Sequence, residues 1–236
     1  MKKLTKAGKR KRRRLLILAV ILSIFIVVLF NIWEKFNSNY GTSKENSVEG
    51  INYSQYDVPE PGIKQMLLTQ NVNSRPGISL GTVNGVVIHY TANPGTDAEA
   101  NRNYFESRKD EPDEASNKVS SHYIIGLDGT IIQCIPLEEI AYASNNRNAD
   151  TISIECCHPN KSGKFSKDTY NSLVHLTGWL CGKYNLDKNS IIRHYDVTGK
   201  ECPLYFVKHS DAWDKLKDDI WKFFLSCKKE ENKDKK

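Results

Sequence analysis

The sequence predicts an α/β domain with a central mixed β-sheet flanked by helices, preceded by one N-terminal transmembrane helix. Three observations carry that expectation. Short runs rich in Val and Ile, bounded by Gly, Asn or Pro, alternate with longer segments whose apolar residues recur at helical spacing, so strands interleave with helices. Residues 15–33 form one span apolar and long enough to cross a bilayer. The charge is segregated. Lys2, Lys3, Lys6, Lys9, Arg10, Lys11, Arg12, Arg13 and Arg14 supply nine positive charges, so against a net +6 for the chain everything after them carries −3. The basic total therefore belongs to the N-terminus and not to a binding face, which excludes nucleic acid as the partner of the globular part. With 39% apolar and 26% charged residues the chain can bury a core and is neither disordered nor collagen-like.

The elements follow in order. Residues 1–14 are the basic cluster. From Leu15 to Phe30 only Ser23 interrupts the apolar run, and continuing to Trp33 gives 19 residues. At ~1.5 Å per residue such a helix nearly matches a hydrocarbon core of ~30 Å. The Lys/Arg cluster would hold the N-terminus in the cytoplasm, with Trp33 at the far interface. A cleaved signal peptide has a shorter apolar region and a small-x-small site, whereas here Asn31-Ile32-Trp33-Glu34-Lys35-Phe36 follows, so the anchor is expected to remain. Residues 34–56 are polar and without sustained period, and read as a tether. Residues 227–236 read as a charged, solvated tail.

Between them, residues 57–226 read as one domain. Gly85-Val86-Val87-Ile88-His89-Tyr90 is a buried strand. Residues 97–107 form a short helix capped by Thr96 or Asp97. His122 to Ile125 and Thr130 to Ile135 flank Gly126-Leu127-Asp128-Gly129, a hairpin signature. Thr151 to Cys156 is a β-branched strand. Tyr170, Leu173, Val174, Thr177, Leu180, Cys181 and Tyr184 line one face of a helix that ends before Asn185. Ile191 to Arg193 is a short strand, from which His194 opens a loop. Trp213, Leu216, Ile220, Phe223 and Phe224 mark a last helix capped by Ser210.

Two of these strands end in histidine, His89 and His194, and Cys202 follows the second by eight residues. Strand ends in α/β sheets are where sites assemble. An imidazole–imidazole–thiolate set suits Zn²⁺, and three protein ligands leave a fourth position open, the catalytic pattern. The competing reading for each histidine is a hydrogen-bonded strand-end residue, and no C-x-x-C or H-E-x-x-H motif decides between them. His122, His158, His175 and His209 read as structural, surface or satisfied positions. Six cysteines are too few for a disulfide scaffold at this length. A bridge from Cys156 or Cys157 to Cys181 and buried free thiols both fit the pattern, and Cys134 and Cys227 have no evident partner.

The segments Val87-Ile88-His89-Tyr90-Thr91-Ala92, Ser121-His122-Tyr123-Ile124-Ile125, Ile152-Ser153-Ile154-Glu155 and His194-Tyr195-Asp196-Val197-Thr198-Gly199-Lys200-Glu201-Cys202-Pro203 occur in an order and spacing that resembles the zinc-dependent N-acetylmuramoyl-L-alanine amidases of the type 2 family. That family includes phage lysozyme-type amidases and peptidoglycan recognition proteins. The resemblance covers about residues 57–225. It implies zinc held by His89, His194 and Cys202, Glu155 as the general base and acid, and Lys200 as a donor to the oxyanion. It implies peptidoglycan as substrate, cut between N-acetylmuramic acid and L-alanine. The resemblance does not reach the N-terminal 56 residues; there the apolar span and its basic flank are what predict a single-pass membrane protein with its domain outside the cell. An ion pair at a sheet edge is the bland alternative for Glu155, and the apolar strand around it argues against that. The sequence departs from the family at Ser121, where some members carry a catalytic tyrosine, and at Ile140-Ala141-Tyr142-Ala143-Ser144, which lacks the histidine of an aromatic-His-Ala-Gly step. A muropeptide-binding module without activity is the rival reading, and the presence of Cys202 with Lys200 and Glu155 speaks for the enzyme.

Overall fold

The structure, a computed structural model, describes residues 50–112 and 117–230. Six strands form one mixed sheet: β1 (Ile63–Gln65), β2 (Gly85–Tyr90), β3 (Tyr123–Ile125), β4 (Ile131–Gln133), β5 (Thr151–Cys156) and β6 (Ile191–Arg193), in the spatial order β1-β4-β3-β5-β2-β6. Only the β3–β4 hairpin is antiparallel; the other neighbours run parallel. The central strands β2, β3 and β5 are buried on both faces, which is why they read as continuous apolar runs and not as alternations. Five helices are described: α1 (Ala98–Ser107), α2 (Lys167–Tyr184), α3 (His194–Thr198), α4 (Leu204–Lys208) and α5 (Ser210–Ser226).

One sheet face meets α1, whose Ala98 and Phe105 pack with Ile124, Ile132, Cys134, Ile135 and Cys157. The opposite face meets α2, and α5 packs on α2 in turn. These two helices approach closely at Gly178, where a Cβ would stand 2.7 Å from the Phe223 ring. The hairpin turn is closed by Gly126 N–H to Thr130 O at 2.8 Å, with Gly129 at φ +83°, a conformation glycine adopts without strain.

Several expectations need correction. Residues 194–198 are not loop. They form the one-and-a-half-turn helix α3, stopped by Gly199 in the left-handed region at φ +78°. Ser210 is the first residue of α5 and not its cap, because His209 precedes it and makes no side-chain cap bond. The long helix starts at Lys167, three residues before the first apolar position, because the Ser166 hydroxyl caps it by accepting from Thr169 N–H at 3.0 Å. Of the two alternatives left open for the cysteines, free thiols hold: all six are free and all but Cys227 are buried, so no bridge joins Cys156 or Cys157 to Cys181.

The domain also begins earlier than residue 57. Residues 52–56, read as the end of the tether, lie on α5: the Tyr53 and Tyr56 rings sit 5.6 and 4.6 Å from that of Phe224. The basic cluster, the apolar span 15–33 and the first part of the polar segment lie outside the described residues, as does the end of the charged tail. Among the described residues no helix is long and apolar enough to cross a membrane.

Candidate metal centre

The sheet brings the chemistry to its carboxyl end. β2 and β5 pair in parallel with His89 opposite Glu155, so the two side chains project from the same face. β6 pairs with β2 through Ile88 and Arg193, which delivers His194, the next residue, beside His89. The two imidazoles meet edge to face with centroids 4.7 Å apart. α3 carries the chain away and back. Tyr195 N–H donates to Cys202 O at 2.9 Å, fastening the cysteine to the start of the helix that bears His194. That start is itself held by Asp196, whose carboxylate accepts from the Arg193 backbone N–H at 2.8 Å and from its guanidinium at 2.7 Å.

The result is a cluster in which one ligand atom each from His89, His194 and Cys202 lies within 4.8 Å of the others, all three residues buried. Cys202 Sγ is 3.8 Å from His89 Nδ1. No other group of three or more metal-ligating side chains is found among the described residues. Next to it Glu155 Oε2 is buried with no hydrogen-bond partner. Lys200 stands exposed at the rim, two residues before Cys202.

Electrostatics make this a site prepared for a cation. Burial, then the neighbouring His194 and Lys200, holds His89 well below the ordinary histidine range; burial and Lys200 lower His194 as well. Both rings are thus neutral, the form in which imidazole ligates. Burial pushes the Cys202 thiol up to about 12, with the Glu155 charge adding to it. Burial likewise raises the Glu155 carboxyl to about 8, against the pull of the Lys200 ammonium. A divalent cation among these groups would reverse both penalties, and the donor set of two neutral imidazoles and one thiol fits Zn²⁺.

The structure places His122 away from this cluster, as a structural residue: its ring bridges Ser153 and Glu139. His175 and His209 donate to Pro59 O and Tyr205 O at 2.9 and 2.8 Å. His158 is not a surface or satisfied position. It is buried against the Tyr90 ring, with Nδ1 bonded to Asn160 O at 2.7 Å and Nε2 unpartnered. Two residues that no sequence pattern marks as part of a site touch the cluster: Ser144 Oγ lies 3.2 Å from His89 Nε2, and Asn145 Oδ1 lies 3.1 Å from His194 Nε2. Asn145 sits at φ +53°, and a run of asparagines signals a turn without revealing what the turn holds.

The family model described as N-acetylmuramoyl-L-alanine amidase matches residues 79–204, more than half of the chain and a range that contains all five of these residues. The chain is 36% identical over 152 residues to the N-acetylmuramoyl-L-alanine amidase CwlL of Bacillus licheniformis, covering 59% of this chain and 41% of that protein. It is 34% identical over 164 residues to the amidase BlyA of Bacillus subtilis, covering 61% and 42%. The chain thus spans about two-fifths of the length of these curated relatives. Among solved structures, the catalytic domain of XlyA superposes with a TM-score of 0.55 at 30% identity, covering 68% of this chain and 99% of that one. A mutant endolysin from Bacillus subtilis gives 0.56 at 27% identity, covering 67% and 98%.

Proposed function

The chain belongs to the N-acetylmuramoyl-L-alanine amidase family of type 2, and from that membership we propose that it is a zinc-dependent peptidoglycan hydrolase. It cleaves the amide that joins the lactyl group of N-acetylmuramic acid to L-alanine of the stem peptide. The observation that carries the reading is the convergence of His89, His194 and Cys202 beside a carboxylate oxygen, Glu155 Oε2, that has no partner of its own.

His89, His194 and Cys202 would hold the zinc. When bound, it supplies Lewis acidity toward the scissile carbonyl and the attacking water. Glu155 uses its unpartnered oxygen to take a proton from that water and to return it to the leaving nitrogen of L-alanine. Lys200 donates from the rim to the oxyanion of the tetrahedral intermediate, where one preorganised donor is worth on the order of 10²–10³ in rate. Digestion of purified peptidoglycan by the full-length chain, with mass spectrometry of the products, tests the activity. Stem peptides with a free L-alanine amino group are expected; intact muropeptides, or cuts only within the glycan or the peptide, would overturn it.

The nine N-terminal charges and the apolar span 15–33 support a single-pass protein of the cytoplasmic membrane, N-terminus inside and hydrolase outside, facing its substrate. An N-terminal tag should be recovered with the full-length chain in the membrane fraction. A mature chain starting near residues 31–40 in the medium would contradict this.

A further inference from the structure

We propose that Ser144 and Asn145 are positioning residues of the metal centre: two consecutive loop residues that each take the Nε2–H of one histidine and thereby present both Nδ1 atoms to the metal. The inference rests on the preceding reading that His89, His194 and Cys202 hold zinc. Asn145 Oδ1, 3.1 Å from His194 Nε2, has only lone pairs to offer, so Nε2 carries the proton and Nδ1 keeps the lone pair. In His89 the Ser144 hydroxyl can accept from Nε2–H in the same way. Its Nδ1 faces Cys202 Sγ at 3.8 Å, and its Nε2 lies 3.2 Å from Ser144 Oγ on the other side of the ring. Donation from Nε2–H fixes the ring plane and raises the basicity of the nitrogen that ligates.

The loop that carries the pair is fixed from several directions. Asn145 occupies the left-handed region at φ +53°, which residues other than glycine avoid and asparagine tolerates best. That turn lets adjacent side chains reach two different rings. The Asn148 side chain cradles it, accepting from Ala143 N–H at 3.1 Å and Ser144 N–H at 2.6 Å. Asn148 N–H returns to Asn145 O at 3.1 Å, and Arg147 N–H to Ser144 O at 2.9 Å. The Arg147 guanidinium is in turn gripped by Asp150 at 2.8 and 3.0 Å. Ser144 is 1% exposed, so its hydroxyl serves no solvent role.

Zinc affinity of the full-length chain, measured by competition with a chromophoric chelator, tests the proposal in Ser144→Ala, Asn145→Gly and Asn145→Asp. Asn145→Gly preserves the left-handed backbone and removes only the amide, while Asn145→Asp keeps an acceptor. Ser144→Ala and Asn145→Gly are each expected to weaken zinc binding about 10–100-fold, with Asn145→Asp within a few-fold of wild type. Nitrogen-15 spectra of the zinc-loaded wild type give a second readout that needs no variant: both rings should be protonated at Nε2. Affinities of both deletion variants within about twofold of wild type, or metal on Nε2 of either ring, would overturn the assignment. Where the wild type cleaves peptidoglycan and binds zinc but the variants bind it equally well, this proposal alone fails. A wild type that binds no zinc removes the functional reading and this one together.

Discussion

Glu155, with one carboxylate oxygen buried, and His122, buried just before β3, are both ionisable, and their partners give them different work. Glu155, paired in register with His89, has an oxygen without a partner. Glu155→Gln is therefore expected to bind zinc and fold as wild type while losing about 10²–10⁴ in turnover, because a neutral amide cannot take up the proton. Lys200→Ala should lose less, since the metal still polarises the carbonyl. A near-wild-type rate for Glu155→Gln in release of stem peptides would place the base elsewhere. His122 has both nitrogens committed to backbone: Nδ1 accepts from Ser153 N–H at 3.0 Å, and Nε2 donates to Glu139 O at 2.9 Å. Burial holds its pKa down at about 4, although the Glu139 carbonyl and charge pull upward. The folded state thus refuses a proton that the unfolded chain takes below the ordinary histidine value of 6.5. Stability contributed by His122 is complete above that value and falls as pH drops toward about 4, by on the order of 3 kcal/mol. His122→Gln should show a shallower decline of the urea midpoint over that window, though it starts lower at neutral pH. Parallel curves would show that the histidine does not titrate this way.

At the level of elements, what the sequence made legible was set by how much of each element's stability is local. β2 and β5 are runs of β-branched and apolar residues, and their boundaries at Gly85 and Cys156 follow from composition alone. β1, by contrast, is Ile63-Lys64-Gln65, a strand only because β4 offers it a ladder. α3 begins at a histidine and lasts five residues, too short for any periodicity, and depends on Asp196 at one end and Gly199 at the other. The two histidines of the cluster were legible because strand ends carry them. Ser144 and Asn145 were not, because small polar loop residues have no pattern until the fold delivers a ring to each. α2 shows the same dependence in a testable form. Three hydroxyls of its first turns grip the hairpin turn: Ser166 to Leu127 O, Thr169 to Gly126 O and Ser172 to Gly129 O, each at 2.7 Å. Thr169 is fully buried, so Thr169→Val replaces a hydroxyl by a methyl of the same shape and leaves the carbonyl short of a donor. A loss of about 1–2 kcal/mol is expected, read as a lower denaturant midpoint at unchanged m. An unchanged midpoint would mean that the turn is held by the hairpin itself.

Over the whole molecule, the point where the domain begins was hidden for a related reason. Residues 52–56 are polar and tyrosine-rich, a composition that suits a tether, and only α5 gives them a place to go. Asn52 caps a turn over Tyr53–Gln55. Asp57 N–H then donates to Cys227 O at 3.0 Å, and Lys229 N–H to Gln55 O at 2.8 Å, so the entering and leaving segments pair across the end of that helix. Beneath them Phe224 is fully buried, with Tyr56 stacked on its ring. A chain starting at Asn52 should therefore unfold at the same denaturant concentration as one starting ten residues earlier. One starting at Asp57 uncovers Phe224 and forfeits the two tyrosine contacts. Burial of a large aromatic is worth about 1.5–3 kcal/mol and a stacked pair about 0.5–1.5 kcal/mol more, so a loss of about 2–4 kcal/mol is expected. The m-value should fall slightly, because less surface remains to be exposed. If both truncations unfold together, residues 52–56 only rest on the domain, and the tether extends to residue 56 as its composition suggests. If they differ as expected, residues 52–56 are part of the fold, and the packing of Tyr53 and Tyr56 on Phe224 is what makes them so.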